Sequence, residues 1–517
     1  MKKRCLTLLL AFAMVFAFTA CTGNDPGTDP GTDPGTEPSV QPGEMTEGGE
    51  ISVGLYNDLD ASFDPHMSSS SAATREILFN IFEGLVKPDS DGNLVPAIAE
   101  SYSVNGSADQ YTFKLRQGVQ FHNGKEVTAD DVVWSLSRAA GLETGEPLVS
   151  DVANIAAVTK TDDATVVIDL KKPDTEFLAH ITTAILPEGH DPMSEVVGTG
   201  PYKFVSRVIQ DNIVLEKFDG YWGEKAHLDK VTLKIIENPE TLVSSLRSGA
   251  LDMAIRLDNS QITTLSNMNI LEGSSNIVQA LYLNNAVKPF DDVRVRQALC
   301  YAIDKHEVIE LASDGHGSPV GSSMFPAFGK YFMPELTDYY TKDLDKAREL
   351  LAEAGYPDGF EFTITVPSTM QSHVDVAQVI EQLLQPIGVT AKIDQVEWAT
   401  WYSDAYQGRK FEATVIGMDA HGVAASDMLA RFQSSSAKNF INFNSPEYDA
   451  AYTAAVSTTD DAEQTRLFKE CETILAEQAA NVYIQDGASF VAMAKDLDGF
   501  EFYPLYVLDL SKIYKVQ

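Results

Sequence analysis

The chain has 517 residues, and because a single hydrophobic core stops growing near about 250–300 residues, we expect two or three lobes. Its 75 acidic and 38 basic residues give a net charge of -37, which disfavours binding to nucleic acid and to anionic lipid headgroups. Hydrophobic residues make up 44% and charged residues 22%, as in ordinary folded soluble domains.

The first twenty residues have the layout of an export signal. Lys2-Lys-Arg4 is positively charged, and the apolar stretch Leu6–Phe18 is shorter than the ~20 residues that a membrane span needs. The small residues Thr19-Ala20 and then Cys21 resemble a bacterial lipobox. The resemblance predicts a signal peptide over residues 1–20 and a lipid on Cys21, which would hold the protein at the extracytoplasmic face of the cell membrane, on a Gram-positive surface or in a periplasm.

Residues 21–47 are predicted to form a disordered tether. Residues 25–38 read DPGTDPGTDPGTEP, a repeat of turn-forming residues that cannot bury apolar surface to offset its chain entropy. As an extended chain of ~3.1 Å per residue, residues 22–46 would reach up to ~75 Å. The folded body is expected to begin near Gly48.

Two strand–helix–strand units are predicted in the folded body, which opens with a strand at Ile51–Leu55. In each unit, apolar residues at helical spacing and then a glycine separate two short strands. Such a connection implies a parallel pair of strands. The units are Val231–Ile236, a helix over Thr241–Arg247 and Leu251–Ile255, and then Phe360–Val366, a helix over Val376–Ile387 and Val389–Val396.

Two more helices lie between these units, and each has one apolar face. The first runs over Val295–Ile303 and the second over Leu344–Ala354, and we assign both faces to core packing. Cys300 and Cys471 each lie within a helical pattern. No disulfide framework is implied, and the sequence leaves open whether these two cysteines pair.

Seven short blocks of sequence follow one another through the body. They are Phe63-Asp-Pro-His66, Leu94–Glu100, Tyr111–Arg116, Gly118–Ser135, Gly198–Tyr202, Phe218–Trp222 and Leu283–Lys305. In this order and spacing they resemble the extracellular solute-binding proteins of family 5, the oligopeptide, dipeptide and nickel binders of ATP-binding-cassette (ABC) importers. The resemblance extends from about Gly49 to the C-terminus.

The resemblance implies an α/β fold, a periplasmic-binding-protein-like clamshell (type II, cluster C) with an extra inserted domain. Domain I would comprise residues 48–91, 195–279 and 486–517, domain II would be the insert at 92–194, and domain III would cover 280–485. The polar residues of the family signature are expected to fix the fold of domain II rather than to bind ligand. They are Lys114, Arg116, His122 and Asp130-Asp131.

The same resemblance implies a monomeric substrate-binding lipoprotein. It would capture oligopeptides or peptide-like solutes between its lobes and deliver them to an ABC permease, touching the membrane only through the lipid anchor. A solute that bridges both lobes favours the closed form by its differential contacts, so no catalytic residue, enzymatic activity or cofactor is implied. The chain has no Walker-type GxxxxGK[ST] sequence, so the ATPase would be a separate polypeptide.

One motif near the end of domain III is implied to recognise the ligand. In peptide-binding relatives it contains a tryptophan and, three residues later, an aspartate that pairs with the free α-amine of the peptide. The matching stretch here is Gly417–Leu429, with Met418 at the tryptophan position and His421 at the aspartate position. A loop shift of one or two residues would let Asp419 serve the amine instead, whereas a neutral histidine cannot neutralise an ammonium group.

Other cleft residues are expected from their positions. Trp398 and Trp401 follow a strand and are candidates for an aromatic wall. Phe63 and His66 follow the first strand, at the edge where α/β sheets bind ligands. Dipeptide-binding relatives hold the peptide carboxylate with an arginine before the domain III crossover helix, but residues 366–373 contain no Arg or Lys, so the ligand identity stays open.

The sequence leaves two alternative functions. A nickel or metallophore binder of the same family would need His66, His316, His373 and His421 to converge from separate loops, because no HxH or HxxxH spacing is present and no metal site is assigned. A secreted hydrolase is the remote alternative, and the chain has no GxSxG or HExxH sequence. Affinity and Gram type are not given by the sequence.

Overall fold

The structure is a computed structural model that describes residues 44–59, 62–67, 72–419, 424–504 and 506–517. Residues 44–517 form one compact unit. The predicted signal peptide, Cys21, most of the predicted tether and His421 lie outside the described residues. None of the described helices combines the length and the apolar character that crossing a membrane requires.

Twenty strands occur in the described residues. They are β1 (Met45–Thr46), β2 (Glu50–Leu55), β3 (Val86–Pro88), β4 (Leu94–Pro96), β5 (Ala99–Val104), β6 (Gln110–Leu115), β7 (Ile155–Asp162), β8 (Thr165–Leu170), β9 (Tyr202–Val208), β10 (Asn212–Lys217), β11 (Lys230–Ile235), β12 (Met253–Leu257), β13 (Asn269–Leu283), β14 (Gly317–Pro319), β15 (Glu361–Pro367), β16 (Thr390–Val396), β17 (Ala413–Asp419), β18 (Asn481–Met493), β19 (Leu497–Asp498) and β20 (Tyr514–Val516).

Thirteen α-helices occur in the same ranges. They are α1 (Ala72–Phe79), α2 (Ala129–Ala139), α3 (Phe177–His180), α4 (Pro239–Ser248), α5 (Asn259–Ile262), α6 (Val293–Ala302), α7 (Lys305–Ser313), α8 (Leu344–Glu353), α9 (Gln371–Leu384), α10 (Trp398–Thr400), α11 (Ala425–Leu429), α12 (Pro446–Ala455) and α13 (Asp461–Glu477). A π-helical segment, Trp401–Gln407, continues α10.

An eleven-stranded mixed sheet runs through the body in the order β16-β15-β17-β13-β18-β12-β2-β11-β10-β9, with β14 beside β18. The second predicted unit is confirmed, because β15 and β16 pair in parallel around α9. The strands and the helix of the first unit are found as predicted, and β11 and β12 are parallel. However, β2 lies between them and pairs with both.

Residue 54 of β2 is a glycine that allows close packing. A Cβ at this position would lie 2.7 Å from Leu251 and 2.9 Å from Leu242, so the absence of a side chain lets these leucines pack on β2.

Two long strands, β13 and β18, pass from one half of this sheet to the other. The first half of β13 pairs with the end of β18, and its second half pairs with the start of β18 and with β17. The pairing is interrupted between Ser274 and Val278, where Asn276 has a φ of 57°. At this break in the pairing, the Asp486 carboxylate accepts hydrogen bonds from the Ser274 hydroxyl and, at 3.1 Å, from the Ile277 amide. Paired crossing strands with a local break have the geometry of a hinge.

A separate four-stranded antiparallel sheet, β5-β6-β8-β7, carries α2 on its surface. This helix begins with a capping box in which Thr128 and Asp131 each accept a hydrogen bond from the other's backbone amide. Asp131 also pairs with Lys125, and the Arg116 guanidinium lies 4.2 Å from the Trp222 ring centre. The remaining signature residues have protein partners too: Lys114 pairs with Glu100, Asp130 with Lys160, and His122 contacts Gly198 and Gly200. Each of these polar residues has a partner within the protein, and their role in fixing the fold stays a prediction.

The buried hydrophobic side chains form clusters in three groups. Two clusters draw on residues 51–82, 202–268 and 490–513, which we name the first lobe, and one of the two also includes Ala184 and Leu186. One cluster draws on residues 85–197, which we name the insert, and two draw on residues 278–484, which we name the second lobe. The predicted apolar faces of α6 and α8 are buried in the second lobe. Cys300 and Cys471 are free, buried thiols in its two different clusters.

Candidate ligand-binding cleft

Asp419 lies at the end of β17, where the second lobe meets the first. Its carboxylate Oδ2 accepts a hydrogen bond from the Tyr506 hydroxyl at 2.6 Å, and its backbone carbonyl accepts one from Arg431 Nη2 at 2.7 Å. The guanidinium carbon of Arg75 is 5.8 Å from the centre of the Tyr506 ring. Arg75 and Tyr506 belong to the first lobe, and together with Asp419 they form a group that we name the Asp419 cluster.

The charged groups of the Asp419 cluster are partly buried. Burial lowers the pKa of Arg75, and the negative charges of Asp419 and Asp151 oppose that shift. Burial and the neighbouring Asp419 carboxylate raise the pKa of Tyr506, so its hydroxyl stays protonated and donates at neutral pH. The cluster thus presents a guanidinium, a neutral phenol and a carboxylate close together.

A cavity of about 470 Å³ adjoins this cluster, and Arg75 and Tyr506 are part of its wall. This size falls within the ~300–1,000 Å³ of small-molecule pockets. Its lining comes from the first lobe and the insert, and no described residue of the second lobe contributes to it. The wall has apolar members, Leu78, Phe79, Phe82, Val86, Val149 and Val507, and polar members, which include His66, Glu83, Lys87, Asp151, His180 and Tyr221.

Three of the polar wall residues form hydrogen bonds with one another. Lys87 Nζ donates to Glu83 Oε1 at 3.2 Å and to the Tyr221 hydroxyl oxygen at 2.9 Å, and Tyr221 donates to Glu83 Oε1 at 2.7 Å. Glu83 Oε2 accepts from Trp222 Nε1 at 2.8 Å. The opposite charges of Lys87 and Glu83 are therefore paired within the wall, which leaves this part of the cavity polar without a net charge.

His66, a predicted cleft residue, is buried and lines the cavity. Its Nε2 contacts the Ala184 carbonyl at 2.8 Å, and because a carbonyl only accepts, Nε2 carries the hydrogen. Its Nδ1 accepts from Arg138 Nη1 at 2.7 Å, and Arg138 also pairs with Asp64. Burial lowers the pKa of His66 to about 4, so the ring is neutral at pH 7 and contributes shape rather than charge to the wall.

Phe63 and Met418 are packed against protein and are not part of the cavity wall. The Phe63 ring centre is 4.4 Å from that of Phe204. Met418 is buried in the core of the second lobe, and its sulfur lies 3.5 Å from Arg431 Nη1. Met418 therefore helps to hold the chain next to Asp419 in place.

The side chains of Trp398 and Trp401 are in contact, but they differ in their exposure to solvent. Their rings stack at 5.2 Å with an angle of 19° between them. Trp401 is buried, and its Nε1 donates to Thr414 Oγ1 at 2.9 Å, whereas Trp398 is 42% exposed. Of the two, only the Trp398 ring is open to a ligand or to solvent.

Three of the candidate metal ligands, His66, His316 and His373, lie in the described residues, and they are not brought together. Among the residues that the structure describes, no three His, Cys, Asp or Glu side chains are placed to hold a metal ion. His316 Nδ1 lies 3.0 Å from a carboxylate oxygen of Glu272, and His373 contacts the Gln279 side chain and accepts from the Gly417 amide at 3.3 Å. Each of these histidines therefore has its own local partners.

Glu176 is an interlobe contact that the sequence did not reveal. This insert residue accepts hydrogen bonds from the backbone amides of Ala425 at 2.7 Å and Ser426 at 3.0 Å, at the start of α11 in the second lobe. Ala424, at the N-cap of α11, has no side-chain acceptor, so Glu176 takes that role from another part of the chain.

Arg75 and Tyr506 were also missed by sequence reasoning. No local pattern marks either of them, because the contact between Asp419 and Tyr506 joins residues 87 positions apart and is created only by the fold. The available signal was indirect: the family motif placed His421 at the aspartate position and offered Asp419 only through a loop shift, and the neighbours of Asp419 then follow from the geometry.

Comparisons with known proteins agree with this architecture. The family model for bacterial extracellular solute-binding proteins, family 5 (middle), matches residues 93–440. The chain is 30% identical to the glutathione-binding protein GsiB of Salmonella typhimurium, over 86% of this chain and 90% of that protein. It is 29% identical to the heme-binding protein A of Haemophilus influenzae, over 84% of this chain and 86% of that protein.

A solved structure with the same fold is the ABC transporter substrate-binding protein CtaP of Listeria monocytogenes. The TM-score is 0.83 at 25% identity, and the alignment covers 91% of this chain and all of that one. The fold is thus the α/β clamshell of periplasmic binding proteins with an extra inserted domain, as expected. The chain belongs to the bacterial extracellular solute-binding proteins of family 5, the substrate-binding components of ABC importers, and is a binding protein rather than an enzyme.

Proposed function

We propose that this protein captures oligopeptides or peptide-like solutes outside the cytoplasm and delivers them to the permease of an ABC importer. It acts as a monomer and is held at the membrane by a lipid on Cys21. Its three domains have the boundaries predicted from the sequence, with domain II at residues 92–194. Support for a peptide-like ligand comes from the relative named for glutathione, a small peptide. Separate ATPase subunits drive the transport step.

The observation that carries the proposal is the position of the Asp419 carboxylate. It is supplied by the second lobe and reaches a side chain of the first lobe, so a ligand group bound there contacts both halves of the clamshell. A partly desolvated carboxylate is a suitable partner for an ammonium group, such as the free amine of a peptide. Tyr506 takes one of the roughly four hydrogen bonds that a carboxylate accepts, which leaves capacity for the ligand. Trp398 supplies an exposed aromatic surface for a ligand side chain.

The crossing strands give closure a structural basis. Rotation of the lobes needs few backbone changes if it is confined to the break between Ser274 and Val278 and to the facing residues of β18. A solute that touches both lobes stabilises the closed form because the open form offers only half of its contacts. The permease then distinguishes the loaded protein by its shape.

The test is isothermal titration with a mixed tripeptide pool and the same pool after N-acetylation. The unmodified peptides should bind, and acetylation or the variant Asp419→Asn should weaken binding by about 10–100-fold, the effect of losing a charge-assisted hydrogen bond of roughly 1.5–3 kcal/mol. The matched control is Asp394→Asn, an exposed position of β16, which should bind as the wild type does.

Three results would contradict the proposal. Absence of binding to every peptide would remove the peptide ligand, and binding of nickel or nickel–histidine without peptide binding would favour the metal alternative. Equal affinity for free and acetylated peptides would mean that Asp419 does not hold an amine.

A further inference from the structure

Arg256 is a cationic residue of the first lobe that lies close to the contact between the lobes. It is near the end of β12, and because β12 and β2 are parallel, their carboxyl ends lie at the same edge of the sheet, the edge where α/β sheets bind ligands. Burial and Asp419 raise the pKa of Tyr506, and the positive charge of Arg256 opposes that shift. Arg256 is therefore a neighbour of the tyrosine through which the first lobe reaches the second.

The backbone at Arg256 departs from a regular strand. The pairing of β12 with β18 shifts between Ala254 and Leu257, and Arg256 has a φ of 56°, in the left-handed region that residues other than glycine rarely adopt. Such an irregularity turns a side chain away from the direction that strict alternation along the strand would give it. A strained backbone costs free energy and is most often kept where the direction of a side chain matters.

The guanidinium group of Arg256 has few partners within the protein. Its Nη2 donates to Glu76 Oε2, on α1, at 2.7 Å, which uses one of the five N–H donors of a guanidinium. Its Nε is buried, and no residue in the described ranges accepts a hydrogen bond from it. The side chain as a whole is 30% exposed, so the group can be approached from the cleft side by solvent or by a ligand. A buried donor costs free energy until a bound molecule supplies an acceptor.

The carboxyl group of Glu76 cancels the charge of Arg256 only in part. Burial raises the pKa of Glu76 to about 7, and Arg256 opposes this shift. At pH 7 the carboxyl is therefore protonated in about half of the molecules, and in these the ion pair is absent. A guanidinium with spare donors and an uncompensated charge favours a carboxylate. In a protein with a net charge of -37, such a group locally offsets the repulsion that an anionic ligand group otherwise meets.

We infer that Arg256 binds a carboxylate of the ligand through its spare guanidinium donors. This inference rests on the proposed function and narrows its ligand class to solutes with a carboxylate that reaches the first lobe. The carboxylate is the C-terminal group of a peptide or an acidic side chain, and both present the same chemistry to a guanidinium. A ligand that Arg256 holds in the first lobe and that also contacts the second lobe favours closure. Arg256 is thus a specificity-determining residue of the cleft.

Two pairs of tripeptide pools distinguish the two sources of the carboxylate. The first pair is the mixed pool with free C-termini and the same pool after C-terminal amidation. In the second pair all C-termini are amidated, and one pool has glutamate where the other has glutamine. In titration calorimetry at pH 7, the wild type should bind the carboxylate member of at least one pair about 10-fold more tightly, the effect of one charge-assisted hydrogen bond. Arg256→Gln should reduce that preference to within about 3-fold, and Arg256→Lys, which keeps the charge but lacks the planar fork, should show an intermediate preference.

The matched control is Arg247→Gln, at an exposed position of α4, which removes the same charge from the first lobe and should keep the wild-type preference. Thermal melts check that the variants fold. If Arg256→Gln does not fold, Arg256→Lys decides, and an unchanged preference in that variant would overturn the inference.

Equal affinity of the wild type for both members of both pairs would overturn the inference while leaving the proposed peptide function intact. An equal loss of affinity for both members in Arg256→Gln would also overturn it, because a residue with only a structural role weakens the binding of both. If none of the pools binds, the proposed function fails together with the inference.

Discussion

Three histidines, His66, His122 and His373, are enclosed by protein, and burial lowers the pKa of each to about 4. His66 and His122 have one ring nitrogen donating to a backbone carbonyl, of Ala184 and Gly200 respectively. A second proton would place a charge in a poorly solvated site, so the folded protein keeps the rings neutral. The unfolded chain binds that proton near its ordinary pKa of about 6.5. The stability that these rings contribute is thus complete above about pH 6.5 and is lost as the pH falls towards 4.

We predict that His66→Gln makes the acid destabilisation shallower. The wild type should lose up to about 1.4 kcal/mol of unfolding free energy per pH unit through His66 between about pH 6.5 and 4, and the variant should lack this contribution. Urea unfolding at pH 7, 6 and 5 measures the difference in slope. Buried carboxyls with a raised pKa, such as Asp486, at about 6, act in the opposite direction, so the comparison between variant and wild type is more informative than either slope alone.

His306 supplies the control for this series, because it lies on the surface. The variant His306→Gln should have the slope of the wild type. If His66→Gln keeps the full wild-type slope, His66 is not the source of the acid sensitivity.

At the scale of elements, the contact between Glu176 and the start of α11 joins the insert to the second lobe. Two backbone amides of α11 donate to one carboxylate, and burial raises the pKa of Glu176 while these hydrogen bonds lower it. Hydrogen bonds to a charged group contribute about 1.5–3 kcal/mol. The contact exists only while the lobes touch, so it favours the closed form even without a ligand.

We predict that Glu176→Ala shifts the unliganded protein towards an open form. Ligand affinity should fall by about 3–30-fold, because a smaller fraction of molecules is competent to close, and the radius of gyration from small-angle X-ray scattering should increase. Glu143→Gln, an exposed position of the insert, is the matched control. Unchanged scattering together with unchanged affinity would show that the contact has no role in closure.

Most of the helices and strands could be predicted from the sequence. Apolar spacing marks α9, and Gly388 ends the 3-10 turn Gln385–Ile387 that follows it. The strands β15 and β16 pair around this helix as predicted. The position of β2 between β11 and β12 could not be predicted from the sequence, since it depends on a pairing between strands about 180 residues apart. The cleft residues divide in the same way. The family motif marks the stretch that contains Asp419 and His421, but it does not mark Arg75, Tyr506 or Glu176, which meet their partners only after the lobes have folded.

At the scale of the whole molecule, the net charge of -37 repels anionic headgroups, so the proposed retention at the membrane would have to come from an attachment that charge does not weaken. The proposed diacylglycerol group on Cys21 would supply two acyl chains, and dual chains anchor stably where a single one binds only reversibly. The repeat at residues 25–38 follows this cysteine and separates it from β1, which pairs with β20 at the start of the described body.

We predict that this attachment depends on Cys21 alone among the cysteines. The wild type should partition into the detergent phase of Triton X-114 and stay with membranes in a high-salt wash, because hydrophobic anchoring is not screened by salt. Cys21→Ala should move to the aqueous phase, while Cys5→Ala, within the predicted signal peptide, should partition as the wild type does. Detergent partition of Cys21→Ala would place the anchor elsewhere, and aqueous partition of the wild type would indicate an ordinary secreted protein.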